Sequence, residues 1–154
     1  MAKILNNQPI TPQVFDGMWV NQLQIILPHD GKPGILQGNL LPYDGQHLLA
    51  TGGKRVVQAN LIQARQNSPA LDGMIVMAIA EVKRQAAKDV EPSIISVFAP
   101  DPAKPVTAQI LFSDNTSHRI PDCFALAGTD PTFANVLGTV LATVAVLAGL
   151  QIQQ

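Results

Sequence analysis

The residues of this chain that could support nucleophilic catalysis lie in one short stretch. Cys123, the single cysteine, follows His118 by five residues, and Asp114 and Asp122 lie nearby. A thiol, a base and an orienting acid are the components of an activated cysteine nucleophile. Cys123 also begins the apolar segment 123–126, at the position where a similar segment earlier in the chain has a leucine. We therefore expect Cys123 to be a small buried hydrophobic residue.

Two further groups of residues resemble parts of ligand sites. His29-Asp30, and Asp44 with His47, offer metal ligands, but neither group has another His or Cys at a helical i+4 or Cys-x-x-Cys spacing. Glycines and basic residues in 51–55 do not fit the phosphate-binding pattern G-x-x-x-x-G-K-[ST] and do not open a helix. The sequence therefore predicts turns and loops at these places, with no metal and no cofactor.

Acid–base hydrolysis and nucleic-acid binding also find little support in the composition. The chain of 154 residues has only two glutamates, Glu81 and Glu91, so it offers few glutamate side chains for a hydrolase that uses paired carboxylates. A net charge of −1 gives no basic surface for nucleic acid or anionic lipid. Charged residues make up 14% against a usual share of about a quarter. We expect a protein that is not an enzyme and whose surface is partly covered by other subunits.

An internal repeat sets the order of the elements. Residues 25–33 align with residues 97–105 at an offset of 72, each with two apolar residues, a proline and a Lys-Pro pair. Residues 61–71 align with residues 123–133 at an offset of 62. Repeats of this kind predict one structural unit used twice.

Each repeat reads as three strands followed by a helix. Apolar, β-branched runs that end at proline or Asp/Asn/Gly turns predict a hairpin, and a short third strand leads into the helix. The sequence therefore predicts an α+β fold: an internally duplicated βββα unit with a mainly antiparallel sheet and two helices. The predicted divisions are an extended N-terminal arm (1–21), a first repeat (22–92) and a second repeat (93–154), with both repeats in one compact domain.

The two predicted helices begin alike but differ in character. Ser68-Pro69 and Asp130-Pro131 each place a capping side chain before a proline at the first helical position. The first helix is amphipathic, whereas the C-terminal helix has no charge from Thr132 onward and is apolar nearly all round.

Three environments could accommodate such an apolar helix. Twenty residues span roughly 30 Å, the thickness of a bilayer core, but polar residues within the helix and the lack of basic residues at its ends argue against a membrane span. The sheet and first helix of the same chain could wrap it completely. We favour a contact between subunits, since small residues would let another backbone approach. The predicted oligomer interface is Ala134, Gly138, Leu141, Ala142, Ala145 and Gly149.

The whole chain resembles, in general character, the small structural proteins of tailed bacteriophages. The resemblance rests on the proline-rich arm 8–13, the uncharged Gln- and Asn-rich composition, short proline-bounded hairpins and the final apolar helix. It implies a non-enzymatic virion protein, either capsid cement or a tail or connector component, assembled in the host cytoplasm. Its partners would be itself and other virion proteins. Two alternatives stay open. The first is a small cytoplasmic module that binds a ligand or a protein, and the second is a membrane protein anchored by its C-terminal helix.

Overall fold

The computed structural model describes residues 17–44, 47–48 and 53–147, without the side chains of residues 143–147. Within these residues, six strands form one sheet in which all neighbouring strands are antiparallel, and four helices accompany the sheet. The α+β class with an antiparallel sheet is therefore confirmed.

The order of elements is the same in the two halves of the chain. The first half contains β1 (Gly17–Ile26), β2 (Ile35–Tyr43), β3 (Arg55–Asn60), α1 (Leu61–Asn67) and α2 (Pro69–Ala86). The second half contains β4 (Pro92–Phe98), β5 (Thr107–Phe112), β6 (Ser117–Ile120), α3 (Cys123–Thr129) and α4 (Pro131–Leu147). Each half is thus a βββαα unit.

The prediction of one helix in each unit is wrong, because α1 and α3 precede the two long helices. Asn60 and Asp122 cap these short helices, and each side chain accepts a hydrogen bond from a backbone N–H three residues later, at 3.0 Å. Ser68 and Asp130 then end one helix and cap the next. In each unit the segment predicted to connect the third strand to the long helix therefore forms a helix of seven residues, with a capping residue at each end.

The two halves meet along β1 and β4 at the centre of the sheet, whose strand order is β3-β2-β1-β4-β5-β6. Gln24 lies opposite Ser96, its counterpart at the 72-residue offset. Hydrogen bonds from Leu27 N to Ser93 O (2.9 Å) and from Ala99 N to Asn21 O (2.8 Å) flank this pair symmetrically. The backbone therefore has a local twofold axis at Gln24. An origin by duplication stays a prediction.

Equivalent irregularities and turns support the same axis. A β-bulge falls between residues 20 and 22 in β1 and between residues 92 and 94 in β4. In the turn after each of these strands, a lysine N–H donates to a carbonyl three residues earlier, from Lys32 to His29 (2.7 Å) and from Lys104 to Asp101 (3.0 Å). The aligned Pro-x-x-x-Lys-Pro segments therefore share this hydrogen bond, but their backbones differ, because φ is positive at Asp30 and Gly31 and at no residue of 101–104.

The predicted boundary between arm and first repeat needs correction. Residues 1–16 of the predicted arm lie outside the described residues, but residues 17–21 belong to β1, where Gly17 lies opposite Tyr43. The bulge between residues 20 and 22 lets β1 continue beside the far end of β2. Similarly, the second unit begins with Pro92, the first residue of β4, and not with residue 93.

The core lies between one face of the sheet and the helices. Alternate strand residues point to it, as expected for a sheet packed on one side, and α2 packs beside α4 above them. Side chains that are at most 2% exposed come from both halves of the chain: Leu23, Ile25, Leu36, Leu40, Leu61, Ile75, Val106, Ile110, Phe112 and Cys123. The two units thus share one core and form one domain.

Candidate functional site

Cys123 is a core residue and not an available nucleophile. Its side chain is fully buried beside an apolar cavity of about 50 Å³ between the sheet and the long helices. Burial raises the pKa of the Cys123 thiol to about 11, with a smaller contribution from the Asp122 carboxylate. A thiol with this pKa supplies almost no thiolate at neutral pH. The expectation of a small buried hydrophobic residue is confirmed.

The acids near Cys123 in sequence serve local structure. Asp122 caps α3, and Asp114 lies in the turn between β5 and β6. Asp114 accepts hydrogen bonds from Thr116 and, at 2.9 Å, from the Lys88 ammonium. These hydrogen bonds, Thr116 first, lower the pKa of Asp114 to about 2. Asp114 therefore ties the end of α2 to the β5–β6 turn.

The histidines proposed as alternative metal ligands lie in turns. His29 is bonded through Nδ1 to the carbonyl of Leu27 at 3.0 Å. Asp44 accepts the backbone N–H of His47 at 2.6 Å and contacts its ring at 3.2 Å. Among residues 17–44, 47–48 and 53–147, no three His, Cys, Asp or Glu side chains are grouped so that they could hold a metal ion.

The basic segment and the two glutamates have structural positions. Of residues 51–55, the structure describes Gly53, Lys54 and Arg55, and Arg55 begins β3 rather than a helix. Glu91 accepts a hydrogen bond of 2.7 Å from Lys83, which raises the pKa of that lysine. Glu81 lies elsewhere, on the buried side of α2.

A partly buried ion-pair cluster joins α2 to the start of α4. Glu81 is 4% exposed, and its two carboxylate oxygens accept hydrogen bonds from Arg84 at 2.5 and 3.0 Å. Arg84 and Gln85 both donate to Asp130, at 2.7 and 3.0 Å, and Gln85 also donates to Glu81. The bond from Arg84, and then the capping N–H of Phe133, lower the pKa of Asp130. We did not predict this cluster; its only signal in the sequence was the i+3 spacing of Glu81 and Arg84.

The predicted interface residues occupy different environments on α4. Gly138 is exposed, and an added Cβ would meet nothing within 4 Å. Ala134, Leu141 and Ala142 are half-buried. The side chain of Ala145 and the whole of Gly149 lie outside the described residues. Whether these six form an interface stays a prediction.

In the described part of the chain, the sheet and the first helix do not wrap α4 completely, contrary to the alternative in which they enclose it. Phe133, Val136, Leu137 and Val140 face the core, but the opposite side of the helix, which includes Gly138, is exposed. Among the described residues, no helix combines the length and hydropathy needed to span a membrane.

A second apolar cavity, of about 120 Å³, opens where β1 begins. Its lining includes Trp19 from β1, Phe124 from α3 and Leu141 from α4. The indole Nε1–H of Trp19 donates to Ala99 O at 2.7 Å, so this polar group is already paired. Sites for drug-sized ligands usually measure about 300–1,000 Å³ and present a few convergent polar groups. The described lining therefore gives little support to a small-molecule binding module.

Comparison with known proteins adds no further constraint. No protein-family model, curated protein or solved structure matches this chain.

Proposed function

We propose that this chain is a non-enzymatic structural protein that acts by self-association, with its place in the lattice of a viral particle as capsid cement or a tail or connector component. The observation that carries the self-association is the outer surface of α2 and α4, on the side away from the sheet. We call this surface the helix-layer face. It consists of Gly73, Val76, Met77, Ala80, Asn135, Gly138, Thr139 and Ala142.

The helix-layer face exposes apolar side chains and no charge. Val76 is 53% exposed and Met77 is 43% exposed, whereas the charged residues of α2 lie outside residues 73–80. A partner that covers these side chains removes apolar surface from water, which contributes about 25 cal/mol for each Å² covered. The residues of the face itself carry no charge, so covering them incurs no penalty for burying an ion.

The two helices offer complementary shapes on this face. At the helix offset of 62, Val76 and Met77 on α2 correspond to Gly138 and Thr139 on α4. One helix therefore presents larger side chains where the other has a gap. In a symmetric pair of copies, α2 of each copy can pack its side chains against the gap on α4 of the other, so that the same contact forms twice.

Gly138 is the residue most easily explained by such a contact. Glycine in a helix interior costs about 1 kcal/mol relative to alanine. A Cβ added at Gly138 would meet no described atom outside its own helical turn within 4 Å, so nothing described in the same chain requires glycine here. Close approach of a second backbone supplies a reason for glycine at this point. The viral context rests on the low share of charged residues, 14%, and on the resemblance to bacteriophage structural proteins.

The test compares two glycine-to-glutamate variants by size-exclusion chromatography with light scattering. Gly138→Glu places a charge in the helix-layer face, and Gly128→Glu makes the same change at an exposed position on α3 with open space around it. We expect the wild type to be an oligomer, Gly138→Glu to form a smaller assembly with an unchanged far-UV circular-dichroism spectrum, and Gly128→Glu to match the wild type. A monomeric wild type, or equal masses for the two variants, would refute the proposal.

A further inference from the structure

The sheet has a second face, opposite the helices, which none of the described helices covers. The hydrophobic core cluster lies on the helix side, and the strand residues that alternate with it point away from the helices. Three of these outward residues, Asn39, Leu41 and Ser96, are only 8%, 9% and 6% exposed within the chain. We call this second surface the open sheet face. It is built from the outward residues of all six strands.

A row of polar side chains crosses the whole open sheet face. The strand registers place Gln58, Gln37, Gln24, Ser96, Gln109 and Arg119 side by side, one from each strand. Gln24 and Ser96 stand at the local twofold axis, where Gln24 Nε2 lies 3.4 Å from Ser96 Oγ. The centre of the row is therefore the centre of the face.

An apolar row runs beside the polar one. Ile35, Ile26, Ile94 and Leu111 are neighbours across four adjacent strands. Leu111 is 37% exposed, and the three isoleucines are half-buried. Sheets with one solvated face usually alternate apolar and polar residues cleanly. A continuous apolar row on the uncovered side is typical of a surface that meets another protein.

We propose that the open sheet face binds a second copy of this chain, face to face, through a contact separate from the helix-layer face. The proposal extends the self-association proposed above and adds a second surface to it. Two protomers would then form a symmetric pair of stacked sheets, spaced about 10 Å apart as in β-sandwiches.

The charge pattern of the face suits an identical partner. The six strands contain no Asp or Glu, and Arg119 is the only basic side chain among the six of the polar row, at its β6 end. Two copies can meet at their centres without like-charge repulsion. Each glutamine amide carries both a donor and an acceptor, so a row of glutamines can hydrogen-bond to another copy of the same row.

The area of the face is sufficient for a stable contact. With about 3.4 Å between residues along a strand and about 4.8 Å between strands, the six strands offer roughly 700 Å². Two such faces bury about 1,400 Å² together, within the range of about 1,200–2,000 Å² that specific interfaces occupy. A contact confined to one or two strands would fall below that range.

The first experiment places a charge at the centre of the face. Gln24→Glu is close to isosteric. Its carboxylate can accept a hydrogen bond from the Ser96 hydroxyl, in place of the bond that Gln24 Nε2 donates to Ser96 Oγ, so we expect the fold to persist. In a symmetric pair the two carboxylates meet near the axis, and we expect the dissociation constant of the contact to rise about tenfold or more at neutral pH. Gln66→Glu, an exposed position on α1 with the same charge change, is the control.

The masses of the Gln24→Glu and Gln66→Glu variants are measured by light scattering, each in the wild-type chain and in the Gly138→Glu chain. Comparison of the two backgrounds separates the contact at the open sheet face from the contact at the helix-layer face. We expect Gly138→Glu to leave a dimer, and Gln24→Glu with Gly138→Glu to be a folded monomer by circular dichroism. If Gly138→Glu has no effect while Gln24→Glu lowers the mass, the helix-layer proposal fails and the open sheet face stands. If Gln24→Glu leaves the mass unchanged in both backgrounds, the open sheet face is not a contact between copies.

A cross-linking experiment gives an independent answer. Central residues of two stacked copies lie close together for any orientation about an axis in the plane of the contact. We expect Gln24→Cys to form a covalent dimer with a short bismaleimide, and Gln66→Cys to form none, while the buried Cys123 does not react. Absence of the Gln24→Cys dimer under these conditions would overturn the proposal.

Discussion

Replacing Arg84 by methionine tests whether the cluster between α2 and α4 holds these helices together. Methionine keeps the apolar stem of the side chain and removes the guanidinium. The Glu81 carboxylate is 4% exposed and would keep only the hydrogen bond from Gln85, at 3.0 Å. The variant therefore leaves the buried Glu81 carboxylate without a cationic partner.

The expected loss follows from the exposure of the two partners. Breaking a fully buried ion pair costs about 3–5 kcal/mol, because the remaining charge is uncompensated. The side chain of Arg84 is 50% exposed, so water can replace part of what it supplies. Because Arg84→Met leaves the 4% exposed Glu81 carboxylate without its cation, we expect the free energy of unfolding to fall by about 2–3 kcal/mol, measured by urea denaturation at pH 7.

Two comparisons separate the buried charge from other causes. Arg65→Met removes a surface pair with Asp72, whose two side chains are 28% and 47% exposed, and it should cost less than about 1 kcal/mol. Adding Glu81→Gln to Arg84→Met removes the unpaired charge and should recover about half of the loss. Equal losses for Arg84→Met and Arg65→Met, or no recovery in the double variant, would refute the reasoning.

Two further predictions concern the core. Ile75→Ala should lower the free energy of unfolding by about 2–5 kcal/mol, since Ile75 is fully buried. Ile62→Ala on α1, where the side chain is 41% exposed and lies outside both proposed contact faces, should lower it much less. Similar losses for the two variants would mean that Ile75 is not in the core. Cys123, with its pKa raised to about 11, should react with a thiol reagent at pH 8 only as fast as the protein opens, and reaction at the rate of a free thiol would contradict its burial.

The sequence predicted best those features that depend on local chemistry. The starts of α2 and α4 follow from a capping side chain before proline, and both helices begin at that proline. The turns after β1 and β4 follow from prolines and lysines at equal spacing, and in each a lysine N–H donates to a carbonyl three residues earlier. Features of this kind are decided within a few residues of the chain, so one sequence is enough to predict them.

Features that depend on distant residues were missed. The segments 61–67 and 123–129 are too short to show helical periodicity, and their caps are visible only once the following turn is known to be helical. The role of Arg84 depends on Asp130, 46 residues away. The open sheet face could not be predicted either, because its rows arise only when six strands take their registers.

The pairing of β1 with β4 also has a consequence for the order in which the protein folds. Until β4 is made and pairs, the first half of the chain has a long strand, β1, with one unpaired edge and no acidic residue along it. Unprotected edges of this kind pair readily with other chains. Since Gln24 sits on the local axis, two first halves can pair β1 with β1 in the register that β4 normally takes. Completion of the second half on the same chain closes this edge and so protects the protein against pairing with its neighbours during synthesis.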